Sequence, residues 1–267
     1  MLKAFRTILI PVDFSVNTEV AVTKALGLMD KNSAVIYLLH VLHSSPFQAS
    51  TPSAGCEKKL AQWKQAIEED FEGVQVRWWT IRASSVQKAI HGMAKELAVD
   101  LIVIGQTVSR SGLSFFNRVL PMQLSESTGI PVLTVKPGAL HKRTKTVLVP
   151  ISDTVTESKM KALELLCRNG MLTVHLITFA DDRHLPSEFS ATALLQLYQW
   201  LKLSLHCTVE YAVVPGSNPA KATLQYAEKI NADILLVHPD KETKIGWWNR
   251  HISDVLPPVS KVQVLAV

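Results

Sequence analysis

Short apolar runs alternate with amphipathic segments along the whole chain. The apolar runs are of strand length and continuous, as is typical of strands buried on both faces of a parallel sheet. The segments between them carry apolar residues at helical spacing, for example Leu60, Trp63, Ile67 and Phe71. In the first half, the predicted strands are Thr7–Val12, Ala34–Leu42, Val74–Arg82, Leu101–Gly105 and Pro131–Lys136, and the predicted helices are Asn17–Met29, Glu57–Glu72, one running from a Ser84 cap to Ala98, and Leu120–Ser127.

The second half repeats the first. Thr7-Ile8-Leu9-Ile10-Pro11-Val12 recurs as Thr146-Val147-Leu148-Val149-Pro150-Ile151, and Asp100-Leu101-Ile102 recurs as Asp233-Ile234-Leu235. Phe115-Phe116-Asn117-Arg118 returns as Trp247-Trp248-Asn249-Arg250, in the same order. This half predicts strands at Thr146–Ile151, Leu172–Thr178, Thr208–Val214, Ile234–His238 and Val262–Val267, with helices at Thr156–Arg168, Ser187–His206, Pro219–Asn231 and Asn249–Leu256.

Alternation of strands and helices predicts right-handed crossover units and an α/β fold. The repeat predicts two domains, 1–138 and 144–267, joined by a polar stretch. Each domain is expected to be a Rossmann-like, doubly wound, parallel five-stranded sheet flanked by helices. Ligands of such sheets bind at the carboxyl ends of the strands, here the first and fourth.

Composition excludes several classes of protein. Hydrophobic residues make up 47% of the 267 residues, which is typical of a globular core, and the net charge of +5 lacks the dense basic stripe of a nucleic-acid binder. The three cysteines contain no CxxC pair, so a disulfide framework or thiolate zinc site is not expected. His40 and His43 do not form a metal motif. Without a signal peptide or spanning segment, we expect a soluble, cytoplasmic protein and no membrane partner.

The residues at the strand ends resemble universal stress protein domains. The resemblance lies in Ile8-Leu9-Ile10-Pro11-Val12-Asp13-Phe14-Ser15, in Leu38-Leu39-His40-Val41, and in the fourth and fifth strands of the first half. It covers nearly all of the first half and, more weakly, the second. It implies a stress-response protein in which the fifth strands, Val132–Val135 and Val264–Val267, pair within one chain. Two chains could pair again as a homodimer.

For the nucleotide-binding branch of that family, the resemblance implies a pocket in the first domain. Pro11, Val12 and Asp13 end the first strand at the adenine side, and Val41 ends the second strand beside the base. The phosphates would be wrapped by a loop of pattern Gly-x2-Gly-x9-Gly-Ser or Gly-Thr after the fourth strand, because glycine lets backbone amides approach an anion. Gly105 matches the first glycine of that loop.

The rest of the loop departs from the pattern. The second glycine position holds Val108, and the Gly-Ser position holds Arg118-Val119; Arg118 could partly compensate through its guanidinium. In the second domain, the corresponding positions hold His238, Lys241 and Arg250-His251, and Asp13 is replaced by Ser152 followed by Asp153. Phosphate binding by this loop is therefore expected to be lost. No cofactor is expected, and ATP or another adenine nucleotide is the alternative.

The same residues also have purely structural interpretations. Asp13 could cap the first helix or simply lie in the loop between strand and helix, and Gly105 could simply allow a turn. The repeated aromatic-aromatic-Asn-Arg segment could be a contact surface or could fill space where nucleotide is absent. No Ser-His-Asp, Walker A or paired-carboxylate motif occurs, and a Ser-Gly-Gly loop is absent after the first strand.

The leading hypothesis is therefore a non-enzymatic stress-response protein that acts through an unidentified protein partner or by sensing a small ligand. The alternative is an ATP-binding switch, or slow ATPase, that uses the first domain. A nucleic-acid binder is the third class, and the mild charge disfavours it.

Overall fold

The computed structural model describes residues 5–30, 32–43, 54–106, 119–140, 143–168, 171–180, 186–216, 218–239, 244–245, 250–252, 256–257 and 259–267. The chain divides into two compact units, and the boundary falls between Val135 and Lys136.

The first unit is a parallel sheet flanked by helices. Its strands pair in the order β3-β2-β1-β4-β5, and all four pairings are parallel. The strands are β1 (Thr7–Val12), β2 (Ala34–His43), β3 (Val74–Ala83), β4 (Leu101–Gly105) and β5 (Val132–Val135), and the helices are α1 (Val16–Leu28), α2 (Ala54–Asp70), α3 (Val86–Glu96) and α4 (Pro121–Thr128).

The second unit has the same plan. Its parallel strands pair in the order β12-β9-β6-β7-β8. They are β6 (Thr146–Pro150), β7 (Thr173–Ala180), β8 (Thr208–Pro215), β9 (Ile234–Val237) and β12 (Gln263–Ala266), and the helices are α5 (Glu157–Cys167), α6 (Glu188–Ser204) and α7 (Pro219–Lys229).

Hydrophobic burial explains why these segments are strands. Every residue of β4 and of β9 is buried, as expected for central strands covered on both faces. The first unit packs one apolar cluster from β1, β2, β4, α3 and α4, including Leu9, Ile90 and Ile104. The predicted α/β fold class is confirmed. Among the described helices, none is long and apolar enough to cross a membrane.

Two helix predictions are wrong at their first residues. Within the predicted helix at Asn249–Leu256, Arg250–His251 is a short strand, β11, that pairs antiparallel with β10 (Lys244–Ile245). This ladder gives the backbone there partners that a first helical turn lacks. The cap of α3 is Ser85 rather than Ser84, because the Ser85 hydroxyl accepts a hydrogen bond from the Lys88 amide at 3.3 Å.

One aspartate in each unit ties the first strand to the fourth. Asp100 Oδ2 accepts hydrogen bonds from the amides of Arg6 and Thr7, both at 3.0 Å. In the second unit, Asp233 Oδ2 accepts from the amides of Lys145 and Thr146, at 2.7 and 2.9 Å. The repeated aspartate therefore holds the amino end of the central strand in each unit.

Candidate functional site

The site predicted for the first unit lies at the carboxyl ends of β1 and β4. These strands are neighbours, while the chain continues outward from them to β2 and β3 on one side and to β5 on the other. This is the place where the strand order reverses, so loops on the two sides part and leave a crevice. Pro11 and Val12, the last two residues of β1, are buried in the sheet below it.

Asp13 is held by the start of α1. Its Oδ1 accepts hydrogen bonds from the Ser15 amide at 3.0 Å, the Ser15 hydroxyl at 2.6 Å and the Thr18 hydroxyl at 2.5 Å. The Asp13 amide in turn donates to the Thr18 hydroxyl oxygen at 3.2 Å. This network fixes the loop between β1 and α1; Ser15 is the N-cap residue of α1, and Asp13 accepts from its amide rather than from an amide of the first helical turn. Among the described residues, every hydrogen bond to this carboxylate goes to Oδ1.

We expect Asp13→Ala to lower the free energy of unfolding of the first unit by about 1–2 kcal/mol, because it removes three hydrogen bonds near the helix start. Urea unfolding followed by circular dichroism measures this change. Asp13→Asn is the matched control, since it keeps an oxygen that accepts the Ser15 amide, and its loss should be smaller. Equal stability of wild type and Asp13→Ala would show that these hydrogen bonds do not stabilise the loop between β1 and α1.

Aromatic side chains form one wall next to Asp13. Phe14 adopts a positive φ of 60°, a conformation that costs an ordinary residue about 1–2 kcal/mol. Its ring lies 4.9 Å from the His40 ring and 6.0 Å from the Trp63 ring, between centroids, and the Lys59 ammonium lies 5.4 Å from it. His40 Nδ1 lies 2.8 Å from the Val12 carbonyl oxygen, the distance of a hydrogen bond in which the ring donates.

Val41 lies on the other side of β2 from this wall. It is buried within the apolar cluster of the first unit, whereas His40, its neighbour, pairs with Val12 and contacts Phe14. Successive side chains of a strand point to opposite faces, which explains the difference. The sequence predicted Val41 as the residue of β2 beside the ligand, and it gave no signal that His40 and Thr18 are neighbours of the β1 end.

Gly105 is tightly packed against α1. A Cβ atom placed on it would lie 2.0 Å from the Asn17 carbonyl oxygen and 2.4 Å from its carbonyl carbon, far inside van der Waals contact. Gly105 is paired with Val135 in the sheet, and the next amide, that of Gln106, donates to the Val135 carbonyl at 2.9 Å. Gly105 is therefore a strand residue that lets the helix backbone approach β4.

The start of α4 follows the segment that corresponds to the phosphate-binding loop of the family pattern. Val119, at the position of the pattern's hydroxyl residue, is 2% exposed and belongs to the apolar cluster. The Leu120 amide donates to Gln87 Oε1 at 3.1 Å, and Pro121, the first helical residue, has no amide hydrogen. Amides that would face an anion at a helix start are thus paired or absent at these two positions. Gln87 had no signal in the sequence, because its partner is a backbone amide.

Arg118 and Val108 lie outside the described residues. So do the first three residues of each aromatic-aromatic-Asn-Arg segment. The predictions for them stay predictions.

The corresponding edge of the second unit holds a buried lysine. Counted from the helix cap, Lys159 in α5 matches Thr18 in α1: each is the third residue after its cap, Thr156 or Ser15. Lys159 is 1% exposed, and its ammonium donates to the Pro150 carbonyl, at the end of β6, at 2.8 Å. A cation therefore stands at the helix position that holds Thr18 in the first unit.

Asp153 does not take the role of Asp13. Its Oδ1 accepts hydrogen bonds from the hydroxyls of Ser187 and Ser190 at the start of α6, both at 3.1 Å. The longer loop between β6 and α5 carries it there. The two units thus share a fold but differ in the chemistry of this edge.

Comparisons with known proteins agree with this architecture. The chain is similar to a universal stress protein from Archaeoglobus fulgidus, with 19% identity, a TM-score of 0.66 and coverage of 97% of both chains. It is similar to a functionally unknown protein from Pseudomonas aeruginosa, with 14% identity, a TM-score of 0.56 and coverage of 99% of this chain and 92% of that one. The cytoplasmic domain of a prokaryotic cation chloride cotransporter has 14% identity and a TM-score of 0.58, with coverage of 98% and 95%.

At these identities, the likeness to solved structures shows the fold alone. No curated protein matches the chain. The sequence model described as the universal stress protein family matches residues 4–136, which span the whole of the first sheet. Through these residues, the chain belongs to the universal stress protein family.

Proposed function

We propose that this universal stress protein acts without catalysis, through a protein partner or by sensing a small ligand, and that its ATP-binding motif is largely lost. Membership of the family makes it a stress-response protein. The observation that carries the rest is the start of α4, where Val119 turns an apolar side chain into the core and Gln87 takes the Leu120 amide. An anion needs free amides or a hydroxyl at that place.

Gly105 supports the same conclusion. A glycine retained for phosphate binding would leave its backbone open to the ligand. Here the residue is buried, and Asn17 of α1 lies against the space where its Cβ would be. The packing of α1 on β4 accounts for this glycine without a nucleotide.

The second unit is a poorer candidate for nucleotide binding. The first glycine position of its loop holds His238, and Lys159 with the Pro150 carbonyl fills the edge at the end of β6. A buried charge without a partner would be costly. The hydrogen bond to the Pro150 carbonyl therefore explains the buried Lys159 ammonium without a bound ligand.

One observation favours the alternative of an ATP-binding switch in the first unit. Among the described residues, no hydrogen bond is made to Asp13 Oδ2, and the ring of Phe14, the next residue, packs against the ring of His40. A carboxylate oxygen next to aromatic rings could receive the amino group of an adenine. Pairing of the two fifth strands, and pairing of two chains, remain predictions from the sequence.

The test is the nucleotide content of the protein. We expect the purified full chain, once denatured, to release far less than one adenine nucleotide per chain, measured by mass spectrometry of the supernatant. Isothermal titration calorimetry should give no saturable heat with ATP and Mg²⁺ up to about 1 mM, which corresponds to a binding free energy weaker than about −4 kcal/mol. Stoichiometric nucleotide, lost in Asp13→Ala but retained in Gly27→Ala, would overturn the proposal and establish the switch.

A further inference from the structure

The β8 edge of the second unit presents an apolar surface. β8 is the last strand of its sheet, and α6 packs on both β7 and β8. Tyr211 and Val213 of β8 are 65% and 51% exposed, and Leu195 of α6 is 55% exposed. The Tyr198 ring of α6 lies 5.9 Å from the Tyr211 ring, between centroids, so the helix and the strand contribute to one surface.

The equivalent edge of the first unit is different. The strand there is β3, whose exposed residues are Gln75, Arg77 and Arg82. Within the described residues of β3 and α2, every large apolar side chain is buried or half-buried. Charged side chains on an edge strand oppose pairing with another chain. The second unit lacks this protection on the face of β8 that carries Tyr211 and Val213, and an exposed apolar surface of this kind indicates an interaction site.

The backbone of β8 offers hydrogen-bonding groups at this edge. The amides of Thr208 and Gly216 donate to the carbonyls of Leu172 and Ala180, at 2.9 and 3.1 Å, and so point toward β7. Backbone groups alternate in direction along a strand, so the odd-numbered residues of β8 point away from β7. Among the described residues, no strand pairs with that side of β8. The outward-pointing residues are Val209, Tyr211, Val213 and Pro215.

We propose that two copies of this chain form a homodimer by antiparallel pairing of their β8 strands about a two-fold axis at Ala212. In this register, Tyr211 exchanges two main-chain hydrogen bonds with Val213 of the partner subunit, and the axis repeats the pair. An aromatic side chain opposite a β-branched one stabilises such a ladder. Glu210 lies opposite Val214 of the partner subunit, so like charges do not meet.

The same axis brings the two α6 helices together. Because β7 and β8 are parallel, α6 runs back between them, and the ring contact places Tyr198 beside Tyr211. A strand rises about 3.3 Å per residue and a helix about 1.5 Å, so the level of Ala212 corresponds to about residue 196 of α6. Two helices that each lie over β7 and β8 would be about 10 Å apart, two strand spacings, which is the distance of packed helices.

Charge complementarity identifies the second copy as the occupant of this surface. Glu188, Leu195 and Lys202 are exposed and spaced by seven residues, so they share one face of α6. That face is on the β8 side, because Tyr198 is three residues from Leu195 and four from Lys202. Antiparallel pairing places Leu195 against Leu195 of the partner subunit and Glu188 against Lys202 of the partner subunit. Opposite charges at both ends thus enclose an apolar centre.

The expected dimer is weak. The strand edges and the facing helix surfaces would bury on the order of 1,000 Å² in total, the lower limit for a specific interface, so we expect a dissociation constant on the order of 10 μM. Sedimentation velocity of the full chain from about 1 to 200 μM measures it. Hydrogen–deuterium exchange in peptides that contain β8 should slow as the concentration rises. A chain that stays monomeric over this range overturns the proposal.

Val213→Lys tests the strand pairing. We expect it to raise the dissociation constant at least about tenfold, because an ammonium on the edge would face Tyr211 of the partner subunit. Val213→Thr keeps a β-branched side chain and should dimerise nearly as wild type does. Val259→Lys is the matched control: Val259 is 78% exposed before β12, at the other end of the strand order, and should not matter. Equal dimerisation of Val213→Lys and Val259→Lys overturns the proposal.

A charge exchange tests the helix contact. At low salt, Glu188→Lys and Lys202→Glu should each raise the dissociation constant about threefold or more, because each puts like charges together at both ends of the helix pair. The double variant should restore the wild-type value. Circular dichroism checks that all variants are folded. A dimer that tolerates both single changes, or that the double change does not restore, overturns the proposal. None of these outcomes depends on nucleotide binding.

Discussion

Gly105→Ala is expected to lower the free energy of unfolding of the first unit by at least about 3 kcal/mol. The new Cβ would meet backbone atoms of Asn17 at 2.0 and 2.4 Å, and a backbone cannot rotate away as a flexible side chain can. Relief requires α1 to move off β4, which would disturb the loop that holds Asp13. Urea unfolding gives the free energy, and hydrogen–deuterium exchange of peptides from α1 and β4 should locate the loss there.

Gly27→Ala is the matched control for this change. Gly27 is an exposed residue of the same helix, and nothing lies within 4 Å of the position of its Cβ. Alanine there should raise the stability by about 0.5–1 kcal/mol, since glycine is a poor helix former. If Gly105→Ala were as stable as wild type, the packing role of Gly105 would be wrong, and phosphate binding would again be the better explanation of this glycine.

The fold was predictable because its signals are local and repeated. The continuous apolar runs at Thr7–Val12 and Leu101–Gly105 can be buried on both faces only as central strands, and both are strands in the structure. The internal repeat then predicted that the second half would follow the same plan. The predicted helix at Asn249–Leu256 is wrong at its start, where Arg250–His251 is a strand, whereas Ile252 is helical and its carbonyl accepts the Leu256 amide at 3.3 Å.

The site was less predictable because it depends on contacts between distant residues. The spacing of the phosphate-binding pattern identified Gly105, but both explanations predicted for this glycine, close approach of a phosphate and a turn, concern the loop after β4. The φ of Gly105 is not positive. A larger side chain is excluded there by the backbone of Asn17, which belongs to another element, α1. Lys159 carries no motif, and only the fold brings its ammonium to Pro150.

Asp233→Ala should destabilise the second unit by about 3 kcal/mol. It would leave the amides of Lys145 and Thr146 without their carboxylate acceptor at a position where Asp233 itself is 2% exposed. Each of these part-buried donors costs about 1–3 kcal/mol when it loses its partner, because water replaces the buried carboxylate only in part. Urea unfolding measures the loss, and hydrogen–deuterium exchange should show faster exchange in peptides that contain β6 and β9.

The repeat supplies the control for this prediction. Asp100 makes the equivalent bonds to Arg6 and Thr7 but is itself exposed, so water can replace its carboxylate, and Asp100→Ala should cost the first unit only about 1 kcal/mol. Asp233→Asn keeps one acceptor oxygen and should fall between these values. If Asp100→Ala and Asp233→Ala lowered the free energy of unfolding equally, burial of the aspartate would not determine the strength of these hydrogen bonds. If Asp233→Ala were as stable as wild type, the apolar residues of β6 alone would hold this strand in place.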